Sequence, residues 1–200
     1  MSVEVCAEDI ESAKIACRAG ADRIEVCSAL DIGGVTPSLG AVRSTQRIAS
    51  SHGVHVTVLI RPRSGDFVYS PQEIEIMIDD IKTFKALGIH GVAIGAINGS
   101  GRIDTIAMQR MILAAEPLEI TFHRAFDFLE QEIKESIDVL ADLRVNRILT
   151  SGRRASACQG IDMIRSAQEL ARDIVICAAG GINTLNVQEI GTSFANMNSI

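Results

Sequence analysis

The amino-acid sequence predicts an α/β fold of the (β/α)8 TIM-type barrel class. Short apolar runs alternate with longer amphipathic stretches, which is the pattern of repeated strand–helix units on a parallel sheet. No Pro-, Gly- or Ser-rich linker interrupts the repeats, so we expect a single domain over residues 1–200. The first strand lacks the glycine-rich loop of a dinucleotide-binding sheet. Polar residues at the carboxyl ends of most strands favour the barrel.

Each predicted strand or helix is inferred from the spacing of the apolar residues within it. The third helix also has start and stop signals, with Ser70 as N-cap, Pro71 at the first position and Gly88 after the last turn. Strands are predicted over residues 2–6, 22–27, 54–60, 91–95, 118–123, 146–150 and 174–178. Helices are predicted over residues 8–19, 38–50, 71–87, 104–115, 129–142 and 157–172, with a weaker helix from 184.

The eighth strand of a complete barrel is the element that this sequence does not supply in full. It would follow the helix near 184–190, and the sequence stops at Asn198-Ser199-Ile200. We therefore predict a barrel that is truncated before or within its eighth strand. The first and seventh strands would then have open edges that can pair with another chain.

Composition and charge narrow the classes of partner. The formal net charge of −6, without long runs of one sign, makes nucleic acid an unexpected ligand. The amino terminus lacks a basic segment followed by an apolar one, and no apolar stretch approaches the length of a membrane span. Five scattered cysteines without a CxxC disfavour a disulfide scaffold or a structural zinc site. We expect a cytoplasmic protein with free thiols.

The tripeptide EVC occurs at residues 4–6 and again at residues 25–27. If both segments are parallel strands, each glutamate and its cysteine share one face, with both thiols at the carboxyl ends. Matched positions on strands about 4.8 Å apart would bring Cys6 and Cys27 within reach of one metal ion. Two thiolates without a neighbouring imidazole favour a soft ion such as Cu(I). The alternative is a pair of buried packing thiols.

Four residues on the predicted inward face are candidate catalytic groups. Glu4 and Glu25 face inward by alternation, Arg61 ends the third strand, and His123 ends the fifth. A histidine at a strand end can act as an acid, a base or a metal ligand, and Asp127 is near enough to orient it. The alternatives are a structural ion network and a core histidine.

Arginines and glycine-rich loops at other strand ends are candidate anion-binding groups. Paired guanidiniums suit a carboxylate or a phosphate, and backbone amides at the start of a helix form the usual phosphate site of these barrels. Pairing of Arg63 with Asp66 is the alternative for the third strand. The candidates are Arg63, Arg124, Ser151, Gly152, Gly180 and Gly181.

The chain resembles the copper homeostasis protein CutC family. The motifs that carry the resemblance follow in order over nearly the whole chain: VEVC, ES, AGADRIEVCSALDIGGVTPSLG, IRPRSGDFVYS, TFHRAFD, RILTSG and GGI. The resemblance implies a TIM-type barrel, a cytoplasmic location, homo-oligomers and a role in copper handling, with Cys6 and Cys27 as the proposed Cu(I) ligands. Departures are Ala179 in place of the first of three glycines, and the absence of the EFH motif of the last strand.

The sequence therefore indicates two alternative functions. The first is copper homeostasis through Cu(I) bound by paired thiolates, with no organic cofactor indicated. The second is an isomerase or lyase acting on a small phosphorylated or carboxylated metabolite, because the predicted pocket is rich in charged groups.

Overall fold

A computed structural model describes residues 2–195 and has seven strands, each followed by a helix. The strands are β1 (Glu4–Ala7), β2 (Arg23–Val26), β3 (His55–Leu59), β4 (Gly91–Ile94), β5 (Glu119–Phe122), β6 (Arg147–Thr150) and β7 (Val175–Ala178). The helices are α1 (Ile10–Arg18), α2 (Leu39–His52), α3 (Pro71–Lys85), α4 (Thr105–Ala115), α5 (Ile133–Asp142), α6 (Ile161–Leu170) and α7 (Val187–Ala195). Two 3-10 helices cover Leu30–Ile32 and Arg124–Phe128. The predicted βα repeat is confirmed.

Local sequence accounts for where the helices begin. Ser70 accepts a hydrogen bond from the backbone amide of Glu73, whose side chain accepts one from Ser70, and Pro71 occupies the first turn of α3. This capping box satisfies two amides that the helix itself cannot. Asp9 and Ser38 cap α1 and α2 by accepting hydrogen bonds from the amides of Ser12 and Ala41, respectively.

The chain forms two compact units. The first contains residues 2–94 and 105–120, with β1 to β4 paired in parallel and in chain order, and with the start of β5 following β4. Arg23, at the start of β2, lies opposite both Glu4 of β1 and His55 of β3. Alternate residues of these strands face the helices and form the core of this unit.

The second unit contains residues 95–104 and 121–195. The end of β5, β6 and β7 pair in parallel and in chain order. Ala157, Ile164 and Ile190 form an apolar cluster in this unit, with Ile176 of β7 packed against it. The predicted start of an eighth strand at residues 198–200 lies outside the residues described here.

These strand–helix units define the TIM-type (β/α) barrel class, with seven of its eight strands among residues 2–195. The predicted fold class is confirmed. Within those residues, none of the helices has both the length and the apolar character needed to cross a bilayer.

Candidate functional site

The two EVC cysteines lie on neighbouring strands but are not opposite each other. Cys6 is opposite Glu25, and the ladder continues past the end of β2 because the Cys27 amide donates to the Ala7 carbonyl at 3.1 Å. Cys27 therefore lies two residues beyond Glu25, the residue that is paired with Cys6. The prediction that Cys6 and Cys27 lie at matched positions is wrong, because neighbouring strands of a barrel are staggered.

The stagger sets the distance between the two cysteines. Two strand residues advance about 6.6 Å and the strands are about 4.8 Å apart, so the two Cα atoms are separated by about 8 Å. That separation exceeds the limit of about 7 Å for a disulfide. All five cysteines are free thiols. Cys6 and Cys27 share one face of the two strands, two residues apart in register.

The two thiols differ in their surroundings. Cys6 is exposed, whereas Cys27 is fully buried beside Leu59 and Ala93. Gly34 covers Cys27, since a Cβ added at this glycine would lie 3.8 Å from the Cβ of Cys27 and 2.8 Å from Leu59. Gly34 also has a positive φ of 82°, which glycine adopts without strain. The loop after β2 thus closes over one of the two sulfurs.

Arg61, a candidate catalytic residue, holds this loop in place. Its Nη1 donates to the carbonyl of Gly34 at 2.9 Å and to that of Ile32 at 3.4 Å, and its amide donates to Thr36 Oγ1 at 2.8 Å. Nη2 donates to the Gly65 carbonyl at 2.7 Å. A buried guanidinium that is bound to backbone carbonyls is an anchor for two loops.

Glu25 is a buried carboxyl group beside the exposed thiol. The Cys6 Sγ lies 3.9 Å from Glu25 Oε1, and Glu25 Oε2 has no hydrogen-bond partner among the described residues. Burial, assisted by the charge of Glu4, raises the pKa of Glu25 to about 8. The charge of Glu25, followed by those of Cys27 and Glu4, raises the pKa of Cys6 far above its usual range. Burial, followed by the charges of Glu25 and Glu8, raises the pKa of Cys27 to about 12.

These pKa values predict how the metal-free protein responds to pH. The folded state retains the Glu25 proton up to pH of about 8, whereas the unfolded state releases it near pH 4.3. Between those values the folded state binds more protons, so stability falls as pH rises, by up to about 1.4 kcal/mol per pH unit. We expect Glu25→Gln to match the parent at pH 4.5 and to exceed it by several kcal/mol at pH 8.5.

Urea unfolding at both pH values measures this difference. Glu130→Gln, at an exposed glutamate of the second unit, is the matched control for the substitution and should not reproduce the gain in stability at pH 8.5. A Glu25→Gln variant whose stability declines with pH as steeply as that of the parent would contradict the assigned carboxyl group.

Glu4 belongs to a separate, charge-paired group around Arg23. Arg23 Nε contacts Glu4 Oε2 at 2.8 Å, and its Nη2 lies 2.8 Å from Glu119 Oε2 and donates to Thr57 Oγ1 at 2.9 Å. A buried guanidinium between two carboxylates is the structural ion network that the sequence left open for this face. Glu119 was missed, although alternation along the predicted strand 118–123 places it on the same face as His123.

Arg63, a candidate anion-binding residue, is paired with one carboxylate of its own loop and with another in the first turn of α3. Nε contacts Glu73 Oε1 at 2.5 Å and Nη2 contacts Asp66 Oδ1 at 3.0 Å. Nη2 also donates to the Val68 carbonyl at 2.8 Å. The alternative pairing with Asp66 is therefore present, and an external anion would have to compete with two carboxylates.

His123 lies in the second unit, buried at the end of β5. Its Nδ1 accepts a hydrogen bond from the Ala125 amide at 3.2 Å, so the ring caps the 3-10 helix that follows. A Cβ added at Gly95 would lie 2.6 Å from the ring, so this glycine makes room for the imidazole. Its catalytic role stays a prediction.

The predicted anion site at Ser151 and Gly152 is occupied by a carboxylate of the chain itself. Asp127 accepts from Thr150 Oγ1 at 2.5 Å, from the amide and Oγ of Ser151 at 3.0 and 2.9 Å, and from the Arg153 amide at 3.1 Å. Arg124 Nε contacts the same carboxylate at 2.9 Å, and its Nη2 donates to Ser151 Oγ at 3.0 Å. Of the two predicted residues, Ser151 holds Asp127, a residue expected to orient His123, whereas the Gly152 amide donates to Thr150 Oγ1 at 2.9 Å.

The two glycines after β7 both adopt positive φ, 96° at Gly180 and 70° at Gly181. A Cβ added at Gly180 would lie 3.0 Å from the Arg124 guanidinium carbon, and one added at Gly181 would lie 3.1 Å from Ser156. Close approach explains why small residues are needed here. Anion binding by these loops stays a prediction.

The described residues contain no larger cluster of metal-ligand side chains. Over the part of the chain that the structure describes, no group of three or more His, Cys, Asp or Glu side chains is arranged to hold a metal ion.

Comparison with known proteins places the chain among TIM-type barrel proteins of one family. The model of the CutC family matches residues 1–197, and the chain belongs to this family. It is 43% identical to a family protein CutC of Glaesserella parasuis over 95% of this chain and 77% of that protein. It is 42% identical to the human copper homeostasis protein cutC homolog over 94% of this chain and 68% of that protein.

A solved structure from the same family agrees with the fold. The crystal structure of a Streptococcus agalactiae protein described as a copper homeostasis CutC matches with a TM-score of 0.90 at 33% identity. The match covers 96% of this chain and 94% of that one. The resemblance inferred from the motifs is confirmed.

Proposed function

We propose that this chain binds Cu(I) through Cys6 and Cys27 and acts in copper homeostasis in the cytoplasm. The family supports the biological role, since the human relative is named for copper homeostasis. The observation that carries the proposal is the placement of two free thiols on one face of neighbouring strands, two residues apart in register. That spacing is too wide for a disulfide and suits a bridging metal ion.

The ligand chemistry favours a soft ion of low coordination. Two sulfurs without a third His, Cys, Asp or Glu ligand among the described residues fit Cu(I) better than a tetrahedral zinc ion. Both thiols have raised pKa values, so they are poor nucleophiles at neutral pH. A metal ion can displace these protons and bind the thiolates, whereas a nucleophilic mechanism would need the thiolates to form at neutral pH without a metal.

The two sulfurs have unequal access. Cys6 is exposed and Cys27 lies beneath the loop that Arg61 anchors. We propose that Cu(I) binds the exposed Cys6 first and that Cys27 then completes its coordination. The enzyme alternative has weaker support, because the arginines and loop donors expected to hold an anion are bonded to groups of the chain.

Anaerobic Cu(I) titration in competition with a chromophoric chelator tests the proposal. We expect one equivalent per parent chain, and at least a 100-fold loss of affinity in Cys6→Ser and in Cys27→Ser. Cys158→Ser, at an exposed thiol outside this pair, is the matched control and should bind as the parent does. Parent-like binding by both Cys6→Ser and Cys27→Ser would overturn the proposal.

Homo-oligomerisation, which the resemblance implies, is part of the same proposal and is measured on the same samples. Light scattering of the parent with and without one equivalent of Cu(I) gives the mass of the particle. A metal bound within one chain leaves that mass unchanged, whereas a copper that bridges chains increases it.

A further inference from the structure

Two histidines of the first unit stack at the amino-terminal ends of β3 and β4. The rings of His55 and His90 are parallel to within 6°, with their centroids 4.4 Å apart. His55 is the first residue of β3 and is exposed, whereas His90 directly precedes β4 and is half-buried. Both lie at the opposite end of the strands from the thiol pair, so copper binding makes no use of them.

His90 holds the start of the β3–β4 pairing at two points. Its backbone amide donates to the Val56 carbonyl at 2.9 Å, and its ring Nδ1 accepts from the Val56 amide at 3.0 Å. A backbone amide only donates, so Nδ1 is the ring nitrogen without a proton and the imidazole is neutral. Val56 is fully buried, so the His90 side chain supplies the acceptor that this amide needs away from water.

A proton on Nδ1 would remove that acceptor. The imidazolium form has N–H groups at both ring nitrogens, so it could not accept from the Val56 amide. Two donors would then face each other, and the buried amide would lose its hydrogen bond. Protonation of His90 and its side-chain contact with Val56 are therefore mutually exclusive.

The charged groups of three strands act on His90. Burial, followed by the charges of His55 on β3 and Arg23 on β2, lowers the pKa of His90, while Glu119 on β5 acts in the opposite direction. Arg23 is itself paired with Glu4 and Glu119. The unfolded state therefore takes up this proton more readily than the folded state, at a pKa of about 6.5. Stability from the contact is present above that pH and is lost as pH falls below it.

We propose that His90 is a pH-sensitive switch: its neutral ring, stacked on His55, binds the start of β3 to the residue before β4, and a proton taken up in mild acid releases the Val56 amide. The two states are a closed strand start with neutral His90 and an open one with the imidazolium in water. Because the open state has an ordinary histidine pKa of about 6.5, its population relative to the closed state is expected to rise about 30-fold from pH 7.5 to pH 5.0. This switch is independent of Cu(I) binding by the thiols.

Amide hydrogen exchange of the full chain, followed at single residues by NMR, tests the switch. Protection factors at pH 7.5 and pH 5.0 are compared, which removes the intrinsic pH dependence of exchange. We expect the protection of the Val56 amide to fall at least tenfold between the two pH values. The Ile60 amide, which donates to the Ala93 carbonyl at 2.9 Å further along the same two strands, is the internal reference and should change less than threefold.

The variant His90→Asn separates the hydrogen bond from the proton. The asparagine carbonyl oxygen can accept from the Val56 amide as Nδ1 does, but it takes up no proton at these pH values. Protection of Val56 at pH 7.5 should therefore stay within threefold of the parent, and the decline at pH 5.0 should disappear. His52→Asn, at an exposed histidine at the end of α2, is the matched control and should retain the parent's decline.

Three results would overturn the proposal. They are a parent whose Val56 amide is equally protected at both pH values, an equal loss of protection at Val56 and Ile60, and a decline that persists in His90→Asn. If His90→Asn does not fold, the comparison of Val56 with Ile60 in the parent decides.

Discussion

Gly152→Ala is expected to destabilise the protein by about 2 to 5 kcal/mol. Gly152 has a φ of 70°, where a side chain costs about 1 to 2 kcal/mol. The added Cβ would also lie 2.3 Å from the Gly160 carbonyl oxygen, so the backbone would have to move at a further cost of about 1 to 3 kcal/mol. Movement of this loop would also displace the Ser151 and Arg153 amides from Asp127.

Gly53→Ala is the matched control for this substitution. Gly53 has nearly the same φ, 69°, but an added Cβ meets nothing within 4 Å. It should therefore cost only the backbone term of about 1 to 2 kcal/mol. Urea unfolding of the parent and both variants gives the comparison. Equal losses in the two variants would show that backbone strain, and not the close approach to Gly160, makes glycine necessary at position 152.

Much of the fold follows from short-range patterns in this sequence. Alternation in HVTVL and the capping box at Ser70 act within a few residues, so the sequence shows them directly. The stagger of β2 on β1 depends on how the whole sheet closes, and no local pattern reports it. Cys6 was therefore expected opposite Cys27 and lies opposite Glu25.

The sequence identified the types of residue in the candidate site, but it did not identify which group each side chain contacts. Alternation selected Glu25 and Cys6 for one face, and their proximity follows from that choice. Which acceptor an arginine finds depends on loop conformation: Arg61 binds the carbonyls of Gly34 and Gly65 rather than a carboxylate. Backbone acceptors have no signature in the sequence, so such anchors look like catalytic groups until the loops are seen.

Cys6 and Cys177 differ in the kind of charged side chain that lies next to the thiol. Cys6 lies beside the Glu25 carboxyl group and Cys177 beside the Arg147 guanidinium. A neighbouring carboxylate opposes thiolate formation, and a neighbouring guanidinium favours it.

Asp127→Ala is expected to cost about 3 to 5 kcal/mol, because it removes a buried charge from several donors at once. The carboxylate is 4% exposed and is bound by two hydroxyls, two amides and Arg124. Without it, the Ser151 and Arg153 amides and the Thr150 hydroxyl lose their acceptor in a buried place, and each loss costs about 1 to 3 kcal/mol. Urea unfolding measures the change.

The variant also tests whether this loop is an anion site that the chain fills with its own carboxylate. Asp127→Ala leaves a space of carboxylate size lined by those donors, so added acetate or formate should restore part of the lost stability through binding to the folded state. Asp127→Asn, which fills the same space without charge, is the matched control and should show no rescue. A loss below 1 kcal/mol, or equal stabilisation of both variants by acetate, would contradict this role. Rescue confined to Asp127→Ala would explain why the loop needs no external phosphate: the carboxylate three residues after Arg124 already supplies the anion.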